Sequence, residues 1–145
     1  QTSGNLDVIA PAESVLLDDL WQRDTDACCA IRKVAPLEHA LSNKSAWITG
    51  LRRDDSASRA NTPLVSHDML RDVIKVNPLA NFTQTDYDLY LKVHGLDEHP
   101  LTSQGYTSIG CWPCTRPAAV DGDARSGRWA GTEKTECGLH AKATV

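Results

Sequence analysis

The chain has no apolar run approaching the length of a bilayer span, which argues against a helical membrane protein. It also lacks a basic surplus. Fifteen Lys and Arg stand against nineteen Asp and Glu, a formal charge of -4, whereas general nucleic-acid binders usually carry excess positive charge. The first residues, "QTSGNLDVIA", have neither the cationic start nor the apolar core of a secretory signal, so a soluble, cytoplasmic protein is expected, with no nucleic-acid or membrane partner. There is no initiating methionine before Gln1, and the 145 residues are expected to be a piece of something longer. No internal repeat is present, and the length suits one domain with a modest core.

Against these absences stand five cysteines. In a reducing compartment cysteines more often mean metal or catalysis than disulfides, and an odd count suggests four of one kind plus one other. The odd one is Cys137, in "TECGLH" near the end of the chain. Free cysteine is usually buried as a small hydrophobe, so a thiol in a short polar tail reads as a reagent. His140, three residues on, could favour its thiolate if the tail turns back.

Local patterns alternate between strand and helix, which favours an α/β class. "LDVIAP" reads as a short strand stopped by Pro11, and "AESVLLDDLWQR" as an amphipathic helix. "DTD" caps a helix over "ACCAIRKV", and Pro36 opens the next over "PLEHAL". "SAWITGL" is a strand, "RRDDSASRANTP" a polar loop with Asp54 and Asp55 solvated, and "LVS" and "VIKVNP" two further strands. "TQTDYDLYLKVHGL" is a helix with Thr83 and Asp86 as a carboxylate capping box and Gly95 as its stop. From Leu96 onward Gly, Pro, Ser and Thr dominate, yet two tryptophans and three cysteines fall there, and a metal centre is expected to order the segment. Trp21 and Trp47 read as packing residues, and Trp112 and Trp129 as shields for the cysteine and arginine regions.

Cys28–Cys29 and Cys111–Cys114 form two close pairs far apart in sequence. Paired thiolates can grip a tetrahedral zinc or an iron–sulfur cluster. Adjacent cysteines point in different directions, which is awkward around one small ion but suits the separate iron atoms of a cluster. The alternative is two core cysteines plus a redox or zinc knuckle. Basic residues lie close by: Arg32 and Lys33 after the first pair, Arg52 and Arg53 after "WITGL", Arg125 and Arg128 before Cys137. Singly each reads as a surface group. Together with a reactive thiol they suggest an anionic electrophile.

"CCAIRKVAPLEHAL", "AWITGLRRDDSASRA", "VNPLA", "GYTSIGCWPCTRP", "RSGRW" and "KTECGLH" occur in an order and spacing that resemble the assimilatory, thioredoxin-dependent adenylyl-sulfate reductases of the adenylyl-sulfate and phosphoadenylyl-sulfate (APS/PAPS) reductase family. The resemblance implies part of a PP-loop fold, like that of the adenine nucleotide alpha hydrolases, with a parallel sheet. An irregular cluster-binding C-terminal segment and a mobile tail follow. It divides the chain into 1–134, the C-terminal part of the reductase domain with the iron–sulfur site, and 135–145, the tail carrying the nucleophile.

It further implies that Cys28, Cys29, Cys111 and Cys114 hold a [4Fe–4S] cluster of structural and electrostatic use. Cys137 would attack the sulfur of adenosine 5′-phosphosulfate, and thioredoxin would release sulfite from the S-sulfonate. Lys33 then corresponds to a lysine between cluster and substrate, Arg125 and Arg128 to arginines on the phosphosulfate, and Arg52 to a further substrate contact. His140 would tune Cys137 or hold the closed tail. The resemblance allows a homo-oligomer. Relatives acting on the 3′-phosphorylated nucleotide commonly lack the paired cysteines, which points to the unphosphorylated substrate. A non-catalytic iron–sulfur or zinc module is the alternative from another class, and the retained Cys137 speaks against it. The family's glycine-rich phosphate loop is missing from these residues, so apolar sheet surface is expected to lie open.

Overall fold

The computed structural model describes residues 5–11 and 19–140. Val15 and Leu16 of the first predicted helix, and the residues after His140, lie outside the described residues. Helix α1, Leu20–Arg23, is the part of that predicted helix that is described. "LDVIAP" does not form a strand: Leu6 and Val8 are exposed, and a strand exists only by pairing, which this segment does not do among the described residues.

Asp24 separates α1 from α2, Thr25–Cys29, in the way its side chain allows. Its extended backbone breaks the first helix, and its carboxylate accepts the Ala27 N–H at 2.9 Å to start the second. The helix then widens into a π turn over Ala30–Val34, with the Ala35 N–H donating to the Ala30 carbonyl, and continues as α3, Ala35–Leu41. Pro36 therefore does not open a new helix. Its ring would clash with the carbonyl four residues back in a regular α-helix, and the wider π turn before it lets the helical run pass through.

The sheet has three strands in the order β1 (Ala46–Ile48), β3 (Val73–Val76), β2 (Val65–Asp68). β1 runs parallel to β3, with Trp47 opposite Lys75, while β2 pairs antiparallel on the other side. This is a mixed α/β arrangement with one parallel and one antiparallel strand pair. The period of two puts Trp47, Lys75, Val73, Ser66 and Asp68 on one face and Ile48, Ile74, Val76 and Val65 on the other. The first face is covered, with Val73 3% exposed. The second lies open, with Ile48 74% and Val65 60% exposed, as the missing phosphate-loop region led one to expect.

Asn77, 1% exposed, ties the ends of the strands together. Its side chain meets Thr49 Oγ1 and donates to the Pro63 carbonyl at 2.7 Å, and its N–H donates to the Leu64 carbonyl at 2.7 Å. Together with the Thr49 N–H bonded to the Val76 carbonyl, this fixes where the loop after β1 departs. That loop leaves from the C-terminal end of a parallel pair, the edge at which α/β folds bind ligands. It is not a solvated loop throughout. It holds two 3₁₀ turns, Arg53–Asp55 and Ala57–Arg59; Asp54 accepts the Gln84 N–H, and Asp55 is ion-paired on both sides.

Helix α4, Gln84–His94, has the predicted capping box, with Thr83 and Asp86 bonded reciprocally, and ends at Gly95 in the left-handed region. The irregular segment beyond it is ordered by backbone pairing. Thr115 bridges Arg128, the Trp129 N–H donates to the Cys114 carbonyl at 3.0 Å, and Trp129 itself is 4% exposed. Trp112 is 84% exposed, with the Arg116 guanidinium 5.9 Å from its ring centre. Replacing Thr83 by Ala removes one half of the capping box and is expected to lower stability by about 1 kcal/mol in urea unfolding. An unchanged midpoint would mean that Asp86 caps α4 unaided.

Candidate active site

Two sets of side chains meet beside the C-terminal segment. The first is the cysteines, all of them free thiols. Cys28 and Cys29 are buried on α2, Cys111 and Cys114 flank a 3₁₀ turn, and Cys137 is partly buried. The Cys29 thiol is pushed up chiefly by burial, with Lys134 and Lys33 opposing and Cys137 and Cys28 adding to the rise. Cys114 is likewise raised by burial, then by Cys111 and Cys28, against Lys33 and Arg128. The two pairs are therefore within electrostatic reach of each other, with Lys33 acting on both. Arg32 points its Nη1 at Cys28 Sγ, 3.7 Å away.

Among the described residues no three His, Cys, Asp or Glu side chains have the spacing of a single-ion site. Four free thiols in two pairs are the soft donor set that a tetrahedral zinc or an iron–sulfur cluster takes.

The second set is cationic. A cleft of about 580 Å³ is lined by Gly50, Arg52, Arg59, Tyr87, Arg125 and Arg128 among others. Arg52 binds Asp55 at 3.0 Å and Gln84 Oε1 at 3.0 Å, with its guanidinium 5.1 Å from the Tyr87 ring centre. Arg53, its neighbour, turns away to the Thr62 carbonyl and Asn81. Arg128 lies 4.7 Å from the Trp129 ring centre, and its guanidinium passes so close to Gly110 that a Cβ there would sit 2.1 Å from Nη2. Arg125 donates from Nη2 to Glu136 Oε2 and to the Thr135 carbonyl, each at 3.1 Å. Burial and the neighbouring Arg59 lower its pKa.

The structure gathers the predicted Arg52, Arg125 and Arg128 around one cleft, sets His140 in another beside Arg59 and Glu136, and leaves Cys137 within electrostatic reach of Cys29; it also adds residues that sequence reading passed over. Arg59 grips Glu136 in a fork, Nε to Oε1 at 2.7 Å and Nη2 to Oε2 at 3.0 Å, and binds Asp55 at 3.0 Å. Burial opposes both charges, but Glu136 and Asp55 still raise Arg59, while Arg59 and Arg125 still hold Glu136 below the usual carboxylate range. Arg59 stood in the stretch "SASRA" and Glu136 beside the cysteine; nothing in their spacing links residues 77 apart.

Residues 135–140 are laid along this region. Lys134 pairs with Asp26, Gly138 sits in the left-handed region with a Cβ position 3.3 Å from Val34, and the His140 ring stacks on Trp47 with centroids 5.6 Å apart. Burial, then Lys75, Arg59 and Arg71, push the His140 pKa down from 6.5 to about 4, with Glu136 opposing.

The Phosphoadenosine phosphosulfate reductase domain matches residues 8–117. The chain is 49% identical over 142 residues to the adenosine 5′-phosphosulfate reductase of Streptomyces coelicolor, covering 94% of this chain and 60% of that protein. It is 50% identical over 133 residues to the protein of that name from Mycobacterium tuberculosis, covering 92% and 52%. The crystal structure of phosphoadenylyl-sulfate reductase from Candida auris, a phosphate complex, superposes with a TM-score of 0.56 at 28% identity, covering 66% of this chain and 46% of that one. The chain thus spans 60% or less of the length of these relatives. No helix among the described residues is long and apolar enough to cross a membrane.

Because the folded-state pKa of His140 lies below its ordinary value, protonation favours the released ring. Its contribution to docking is complete above about 6.5 and is lost as pH falls towards about 4. An imidazole NMR titration is expected to show His140 neutral down to the lower value; a midpoint near 6.5 would mean the ring is not seated on Trp47.

Proposed function

The chain belongs to the phosphoadenosine phosphosulfate reductase domain family, and from that premise we propose that it carries the reacting thiol and the anion cradle of an enzyme that reduces adenosine 5′-phosphosulfate to sulfite and AMP in sulfate assimilation. The observation that carries this reading is the cleft lined by four arginines, Arg52, Arg59, Arg125 and Arg128, at the edge of which the Cys137 segment lies.

The Cys137 thiolate attacks the sulfonyl sulfur. The new bond is Cys137 S–S, the bond that breaks is sulfur to the bridging oxygen, and AMP leaves with that electron pair. Arg125 and Arg128 neutralise charge on the sulfonate and the departing phosphate, where most of the gain in rate arises, since a thiolate needs little further activation. A thiol of thioredoxin then attacks the Cys137 sulfur, and sulfite leaves with the S–S electron pair. The second thioredoxin thiol resolves the mixed disulfide, so two electrons from the dithiol reduce the sulfur and Cys137 returns as a thiol. A nucleophile that serves first a cleft and then a second protein needs a segment that can move, which is the role of the residues around Cys137 in this scheme. Lys33 takes the place of the lysine between cluster and substrate, a role supported by its charge acting on both Cys29 and Cys114.

Cys28, Cys29, Cys111 and Cys114 would hold a [4Fe–4S] cluster, which supplies structure and local charge there and not electrons. The free thiols suit a reducing, cytoplasmic setting. A second reading, the 3′-phosphorylated nucleotide as substrate, rests on the names of the domain and of the Candida auris structure. The relatives near 50% identity carry the name of the unphosphorylated substrate, and we favour it.

The test is an intact-mass spectrum of the anaerobically purified full-length protein after adenosine 5′-phosphosulfate and then reduced thioredoxin. One sulfonate on Cys137 that thioredoxin removes, and that Cys137→Ser abolishes, is expected. No adduct from either nucleotide, with the cluster intact, would reject the reading; competition between the two nucleotides separates the substrates.

A further inference from the structure

We propose that Glu136 and Arg59 form a latch that seats the Cys137 segment at the arginine-lined cleft, so that both are positioning residues for the reaction. The proposal rests on Cys137 being the reacting thiol, but the latch itself is a matter of geometry.

Glu136 directly precedes Cys137 in the chain, so fixing one fixes the backbone of the other. Its carboxylate takes the Arg59 fork on both oxygens at 2.7 and 3.0 Å, the bidentate arrangement that makes such pairs strong and directional. Arg59 is itself held. Asp55 binds it at 3.0 Å, and Arg52 binds Asp55 at 3.0 Å, so the latch ends on the loop that leaves β1. Arg125 adds a further partly buried contact to the same carboxylate, and the remaining ties of the segment are weaker in kind. Lys134 meets an Asp26 whose side chain is 86% exposed, where an ion pair is worth little. Gly138 and His140 contribute packing on Val34 and Trp47. Both members of the Arg59–Glu136 pair, by contrast, are mostly withdrawn from solvent, at 14% and 28% exposure.

The same geometry separates Arg59 from a substrate ligand. With two carboxylates on it, its charge is already answered. Arg125 spends one nitrogen on Glu136 and the Thr135 carbonyl, so it is the residue shared between latch and cleft.

The experiment uses the full-length, cluster-loaded protein under anaerobic conditions and reads the rate of iodoacetamide alkylation at Cys137 by peptide-resolved mass spectrometry. Glu136→Gln and Arg59→Gln are each expected to speed alkylation roughly tenfold, the loss of a charge-assisted fork. Glu136→Asp, which keeps the charge, should recover part of the difference. A direct electrostatic effect on the thiol would have opposite signs in the two Gln variants, since one removes a negative and the other a positive charge. Opposite shifts, or wild-type rates in both, would overturn the latch. With sulfonucleotide and thioredoxin, Glu136→Gln should lower kcat without raising KM. A raised KM at unchanged kcat would instead place the pair in substrate binding and overturn the positioning role. Alkylation needs no turnover, so faster alkylation in both variants of a protein that never forms an S-sulfonate would uphold the latch and reject the reductase reading.

Discussion

Four guanidinium groups facing one cleft repel one another, and the arrangement exists only because carboxylates are interleaved with them. Arg52, Asp55, Arg59, Glu136 and Arg125 alternate in sign along a continuous run of ion pairs at 2.7 to 3.1 Å. The run joins the loop after β1 to the C-terminal segment, the two parts of the chain that supply the arginines of the cleft. An acidic protein thus keeps a local surplus of positive charge by neutralising some of it internally. What is left over, on Arg125 and Arg128, is directed at the cleft. Because the pairs are partly buried, solvent and salt screen them less than surface pairs.

The cysteine region obeys a different constraint. Cys28 and Cys29 lie on the helical run that also carries Lys33. The π turn that follows lets that helix run on through Pro36 and presents Val34 to the C-terminal segment at Gly138. On the opposite side, the Thr115–Arg128 bridge and buried Trp129 fix Cys114 and Arg128 relative to each other. Thiol pairs and arginines are therefore held by shared elements, and a change in one is felt by the other. The open face of the sheet, with Ile48 and Val65 exposed, takes no part in either.

Much of this was legible in the chain because local chemistry dictates it. Thr83 with Asp86 caps α4 whatever surrounds it, and Gly95 stops it by adopting a conformation other residues resist. The β-branched and aromatic residues of 46–48 and 73–76 became strands, and 65–68, VSHD, became a strand by pairing with the latter. "LDVIAP" has a similar composition and did not, since a strand depends on a partner that propensity cannot supply. Cys137 stood out as a thiol with no local reason to be where it is.

The sequence by itself determined the residue types of the site: two cysteine pairs, a solitary cysteine, and arginines in three short stretches. It also determined helices and strands wherever capping and side-chain period act within a few residues. Only the tertiary structure decided that Asp55 is a paired residue and not a solvated one, that Arg59 and Glu136 meet across 77 positions, and that His140 rests on Trp47. Charge pairs and ring stacks form between surfaces that folding brings together, and their strength depends on burial and orientation. Neither quantity exists until the chain has closed on itself.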